Sequence, residues 1–191
     1  MRPLFEALSG IHYDNPSAHF YDMFSEKKSL DAVLDARCMD QQTEVIYLAA
    51  HGDATRIGGA PGHDLSRTEL RNIIERRNIT LQLKGLYLGT CLTGNKDMGK
   101  FFLEYAPTNL EWLAGYGESV DWVDGSAIDM VFFSKLTEEY LKNAKRKKGK
   151  KSARTMAHLA AGELLKLIPG AHAKYGFNLF MHENRKLTSI F

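Results

Sequence analysis

His51 and Cys91 are the pair of residues whose types, neighbours and spacing best fit covalent catalysis. A thiolate attacks carbonyl carbon, and an imidazole beside it takes the thiol proton or protonates the leaving group. Each ends a short apolar run: Val45 to Ala50 leads into His51-Gly52, and Leu86-Tyr87-Leu88 leads into Gly89-Thr90-Cys91. Gly52 leaves the backbone N–H after the base unobstructed, and that N–H together with the one of Cys91 can hold the oxyanion of a tetrahedral intermediate. Either motif alone has a plain structural reading, since a cysteine after a strand is commonly a small core hydrophobe and His-Gly a turn. Their joint placement favours chemistry. A metal-dependent hydrolase built on His51-Gly52-Asp53 and His63-Asp64 is the weaker alternative, because the spacing lacks a His-x-His or His-x-x-x-His core and leaves Cys91 without a role. No metal or cofactor is expected.

The elements around this pair alternate. Residues 3–8 read as a short first strand, and Asp14-Asn15-Pro16 as a bend. Phe20, Met23 and Phe24 share a helical face, and Ser29 is the expected N-cap of a helix burying Leu30, Val33, Leu34 and Cys38. Cys38 is therefore a core thiol. The run 45–50 is an interior strand, Gly58 to Gly62 a flexible loop, and Ser66 with Glu69 a capping box opening a helix to about Arg77. After Cys91, Gly94 and Asn95 break the chain, Met98 to Tyr105 is a short helix stopped by Pro107, and Leu110 to Tyr116 is a further strand. Asp124 or Ser126 is the expected cap of an amphipathic helix over about 127–141, followed by a basic linker at about 143–152. A helix over about 153–167 and a strand from Tyr175 to His182 complete the chain. Strands alternating with helices predict a single α/β domain over 1–191: a three-layer α/β/α sandwich with a mostly parallel sheet. Ligands of such sheets bind beyond the carboxyl ends of the strands, where His51 and Cys91 both fall. Their separation suits one strand-to-strand crossover containing one helix.

Composition sets the outer limits. The chain has 191 residues, 44% of them hydrophobic and 25% charged, which suits a folded globular protein and excludes a disulfide scaffold. A net charge of +2 is too mild to imply nucleic-acid binding. No apolar run is long enough for a membrane span, and Met1-Arg2-Pro3 does not open a signal peptide, so a cytoplasmic location with both cysteines reduced is expected.

The order apolar strand, His-Gly, long loop, helix, apolar strand, Gly-x-Cys resembles the caspase-like cysteine peptidases, the group containing caspases, gingipains, clostripain, separase and bacterial CHAT domains. The likeness extends over about residues 45–141, with Gly176 to Leu179 as a further strand. It implies a caspase-like fold and peptide-bond hydrolysis through an acyl-enzyme, with Cys91 as nucleophile, His51 as general base or acid and Gly52 as oxyanion donor. Gly115 to Trp122 resembles the strand and loop lining the specificity pocket of that group. Several members carry an acidic or amide residue two positions before the cysteine, where this chain has Gly89. Pocket charge must then come from elsewhere: Glu118 and Asp121, beside Trp122, are the candidates and would select Lys or Arg before the scissile bond, the alternative being plain solvated loop carboxylates. As implied partners, the likeness names a protein or peptide substrate and a regulatory protein; the absence of an apolar span argues against a membrane and the mild charge against nucleic acid. The front of the chain departs from it, with one candidate strand before residue 45 where the group has two, so an inactive caspase-fold interaction module is the alternative. The basic run from Lys145 to Lys151 is a solvated loop, or a linker nicked during maturation.

Overall fold

The computed structural model describes residues 1–53, 55–58, 62–105, 107–183 and 186–191; the centre of the glycine-rich loop, residues 59–61, lies outside them. A helix, α1 (Arg2–Tyr13), stands where residues 3–8 predict a strand. Pro3 sits in its first turn, where the missing N–H has no partner to lose, and Phe5, Leu8 and His12 recur at helical spacing. Leu8 is buried, Phe5 packs against the core, and His12 Nε2 lies 3.0 Å from the Ser134 hydroxyl. The segment holding Phe20, Met23 and Phe24 is irregular rather than helical, and α2 spans Lys27–Met39. Glu26, not Ser29, is its N-cap. Ser29 sits three residues in, and its hydroxyl accepts the N–H groups of Ser25 and Glu26 at 3.0 and 3.1 Å, a capping box with the residue roles exchanged. Leu30, Leu34 and Cys38 are buried, as their spacing predicts, whereas Val33 is only half-buried.

Strand β1 (Val45–Ala49) is followed by a small antiparallel sheet where glycines predict only loop: β2 (His51–Gly52), β3 (Arg56–Gly58) and β4 (Leu65–Ser66). Helix α3 (Arg67–Arg77) opens on the predicted box, with the Glu69 N–H donating to Ser66 Oγ at 3.2 Å and the Ser66 N–H to the Glu69 carboxylate at 3.0 Å. Then come β5 (Gly85–Gly89), α4 (Lys96–Leu103) and β6 (Trp112–Tyr116). Helix α5 (Trp122–Ala144) begins earlier than its apolar periodicity indicates, because Asp121 rather than Asp124 or Ser126 caps it, accepting the N–H groups of Val123 and Asp124 at 2.9 and 3.0 Å. The chain ends with α6 (Ala153–Leu167), α7 (Gly170–Tyr175), β7 (Phe177–Glu183) and β8 (Lys186–Ser189). Between α5 and α6 the basic loop is closed by Asn143, whose side chain bonds the N–H and carbonyl of Lys151 at 2.8 and 3.1 Å.

The main sheet has the order β1-β5-β6-β7-β8, with β1, β5 and β6 parallel, β7 antiparallel to β6, and β8 antiparallel to β7. All its strands except β7 therefore run in one direction. Alternation along the strands divides the core between two faces. Tyr87, Trp112 and Tyr116 pack under α1, α5 and α6, whereas Leu48, Leu86, Leu88 and Leu113 pack under α2, α3 and α4. The architecture is mixed α/β with helices on both faces of a mostly parallel sheet. Among the described residues no helix is long and apolar enough to cross a membrane.

Candidate active site

Five consecutive pairs join β1 to β5, from Val45 with Gly85 to Ala49 with Gly89, and their numbers differ by a constant 40. His51 and Cys91 each stand two residues past the last pair. Residues two apart on a strand project to the same face, so both follow Tyr47 and Tyr87 toward the side covered by α5. The contacts agree with that parity. The His51 ring meets Trp122, the first residue of α5, edge to face with centroids 6.0 Å apart. Cys91 Sγ accepts the Val120 N–H at 3.5 Å and lies 3.6 Å from the Val120 carbonyl and 4.0 Å from the Ser119 hydroxyl. One short segment, Ser119 to Trp122, thus touches both.

Gly52 closes the gap between the strand ends, since a Cβ there would come 3.1 Å from both the Thr90 Cβ and the Arg56 carbonyl oxygen. Its backbone direction follows from the hairpin. The Asp53 N–H donates to the Arg56 carbonyl at 3.0 Å, and bonded and non-bonded pairs alternate along an antiparallel ladder. The next pair, Gly52 with Ile57, is therefore non-bonded, and the Gly52 N–H points away from β3.

Cys91 rides on a turn fixed at several points. Leu92 adopts φ 62°, a left-handed conformation uncommon for a branched residue, and its N–H reaches the Glu118 carbonyl at 3.4 Å. The buried Thr90 and Thr93 hydroxyls lie 2.5 Å apart. The Gly94 N–H donates to the Tyr116 carbonyl at 2.8 Å, and Gly94 runs so close to the Gly115 backbone that no Cβ fits. Asn95 then caps α4 by accepting the Met98 N–H at 3.0 Å. Only Gly94 and Asn95 were visible in the sequence as chain breakers; the Leu92 conformation and the grip of Ser119 and Val120 on the sulfur have no local signature.

The predicted specificity residues fall in different settings. Glu118 is exposed, and its carboxylate makes no hydrogen bond or ion pair to a described residue; only its backbone is tied, with its N–H on the Tyr175 carbonyl at 3.2 Å. Asp121 is occupied as the α5 cap, and the N–H groups of Asp124 and Val123 hold its carboxyl below the usual Asp range. Trp122 is 54% exposed beside His51. Gly89 lies below them, its open side filled by Tyr47. The Tyr47 hydroxyl donates to Asp129 at 2.6 Å, and Tyr87 and Tyr116 donate to the same carboxylate at 2.5 Å each. Burial pushes the Asp129 carboxyl up, against the lowering effect of these donors.

Cys38 is fully buried, and desolvation, with Asp35 adding and Arg77 opposing, pushes its thiol up to about 11. Among the described residues no three His, Cys, Asp or Glu side chains converge on a point where a metal would sit. Asp53 turns its carboxylate to its own hairpin, accepting the N–H groups of Thr55 and Arg56 at 2.7 and 2.9 Å. No protein-family model matches this chain, and no curated protein matches it.

Proposed function

We propose that this chain is a cysteine endopeptidase of caspase-like type, with His51 and Cys91 as its dyad. The observation that carries the reading is the convergence of both side chains on Ser119 to Trp122, two residues past the paired ends of β1 and β5. In the proposed reaction His51 takes the Cys91 proton and the sulfur leaves its weak bond to Val120 to attack the scissile carbonyl. The N–H groups of Gly52 and Cys91 hold the oxyanion, and His51 returns the proton to the departing amine. Water then cleaves the thioester with His51 as base. Glu118 is the carboxylate best able to select a basic side chain before the scissile bond, because Asp121 is engaged in its cap.

A peptidyl electrophile with a basic residue next to the warhead tests this. Labelling is expected at Cys91 and not Cys38, absent in Cys91→Ala and slowed in His51→Ala by about 10²-fold or more, the usual worth of a positioned general base. Equal labelling of both thiols would overturn it. The second reading, a binding module on the same fold, draws on the sulfur being held between the N–H and carbonyl of Val120. Selective labelling without cleavage of any member of a diverse peptide library would favour it.

A further inference from the structure

We infer that Asp64 is a positioning residue for His51, accepting a ring N–H and fixing the imidazole in the orientation that faces Cys91. This deepens the peptidase reading and rests on it. Gly58 is the antiparallel partner of His51, and directly opposed residues project to the same face of a sheet. On that face Gly58 has no side chain, and Asp64 fills the space: a Cβ on Gly58 would stand 2.7 Å from both the Asp64 Cα and Oδ1. Opposed Cβ positions are about 4.5–5.5 Å apart. The carboxylate therefore overhangs the strand next to His51, within reach of the ring by side-chain rotation alone. Neither side chain has a hydrogen-bond partner among the described residues, and Asp64 makes only a long ion pair, with Arg56 Nη1 4.0 Å from Oδ2. With Trp122 bracing the ring edge to face, Asp64 supplies the directional partner that an exposed imidazole otherwise lacks. Among the described residues, the other charged and titratable groups on the segments beside His51 are Asp53, Arg56 and His63 on its hairpin, the Cys91 thiol, and Glu118 and Asp121 on the loop before α5.

Two readouts test the assignment in the full chain with Asp64→Asn, an isosteric change, and Asp64→Glu. The first needs no turnover: the His51 ring resonances are titrated by NMR. Loss of the carboxylate is expected to move the His51 midpoint to lower pH in Asp64→Asn, with Asp64→Glu restoring most of the shift. The second is the pH profile of peptide cleavage, whose His51 limb moves in the same direction while kcat falls about tenfold or more, less than the roughly 10²–10⁴ that proton transfer by His51 is worth. An unchanged His51 midpoint in Asp64→Asn would overturn the inference whatever the activity. A shifted midpoint in a chain that cleaves nothing would instead leave the pairing standing and count against the peptidase.

Discussion

Tyr47 occupies the space that a side chain on Gly89 would need, so that a Cβ there would stand 2.5 Å from the tyrosine hydroxyl. The same hydroxyl donates to Asp129, which anchors the ring. Gly89 is thus a packing requirement. Gly89→Ala is expected to destabilise the fold by about 1–3 kcal/mol, as overpacking of a filled core does. The urea midpoint should fall at an unchanged m-value; an unaltered midpoint would show that Tyr47 yields freely.

Asp129 is 4% exposed and faces three phenols, with no cation among its hydrogen-bond partners. Burial raises its carboxyl, so the folded chain binds this proton more tightly than the unfolded one. Stability on this account declines as pH climbs from about 3.9, the ordinary Asp value, through the raised folded value, and the decline is complete above it. Asp129→Asn removes that dependence, so its stability relative to wild type should improve steadily with pH over this window. Asp129→Ala instead strands the hydroxyls and should cost at least ~2 kcal/mol at every pH. Urea midpoints across pH 4–8 decide; a gap between wild type and Asp129→Asn that does not move with pH would contradict the raised carboxyl.

Legibility in the sequence followed the range of the forces involved. Local signals were readable: the Ser66–Glu69 box starts α3 at Arg67, and the apolar runs give β1 and β5 within a residue of their ends. Where two local signals competed, tertiary packing decided. Residues 3–8 are apolar enough for a strand, yet Phe5 and Leu8 face α5 through one stripe, and the segment is α1. Asp121 outranked Asp124 as the α5 cap because the chain leaves β6 already turned by the bonds of Gly117 and Glu118 to Gly176 and Tyr175. The hairpin sheet carrying His51 joins strands of two or three residues, too short for any periodicity to register. Asp64 gained its place over Gly58 from that hairpin, which no spacing rule foretells.

The cap of α3 has an acid-side signature. The Lys27 ammonium first, then the Ser66 N–H and hydroxyl, pull the Glu69 carboxyl down to about 2. A depressed folded value contributes stability that is present above the unfolded Glu value of about 4.3 and is lost as pH falls toward about 2. Glu69→Gln should flatten that acid limb, and Ser66→Ala should cost about 1 kcal/mol at neutral pH through the lost cap. Thermal melts between pH 2.5 and 7 measure both, and a Glu69→Gln melt parallel to wild type throughout would refute the coupling.

The two cysteines should separate kinetically. Cys38 is buried, with its thiol raised to about 11, so at pH 8 it reacts only when the core opens. Cys91 is half-buried on a surface turn. A small disulfide reagent is expected to consume one thiol equivalent in the native state and two in urea, with the native equivalent absent from Cys91→Ala. Two fast equivalents without denaturant would mean that the α2 helix frays far more than its packing indicates.

Glu118 and Asp121 lie three residues apart on one loop, yet their substitutions should have opposite consequences. Glu118 projects a carboxylate with no protein partner among the described residues, so Glu118→Gln should leave the melting temperature unchanged. On the proposed peptidase reading it should weaken kcat/KM for peptides with Lys or Arg before the scissile bond by about tenfold or more, the worth of a charged hydrogen bond, while neutral peptides are spared. Asp121 spends its carboxylate on the N–H groups of Val123 and Asp124. Asparagine caps a helix about as well as aspartate, whereas alanine does not. Asp121→Asn should therefore preserve both stability and the preference for basic residues, and Asp121→Ala should lose about 1 kcal/mol of stability. If Asp121→Asn erased that preference while Glu118→Gln kept it, the acid that reads the substrate would be the capping residue, and α5 would have to release its first turn when a basic side chain binds.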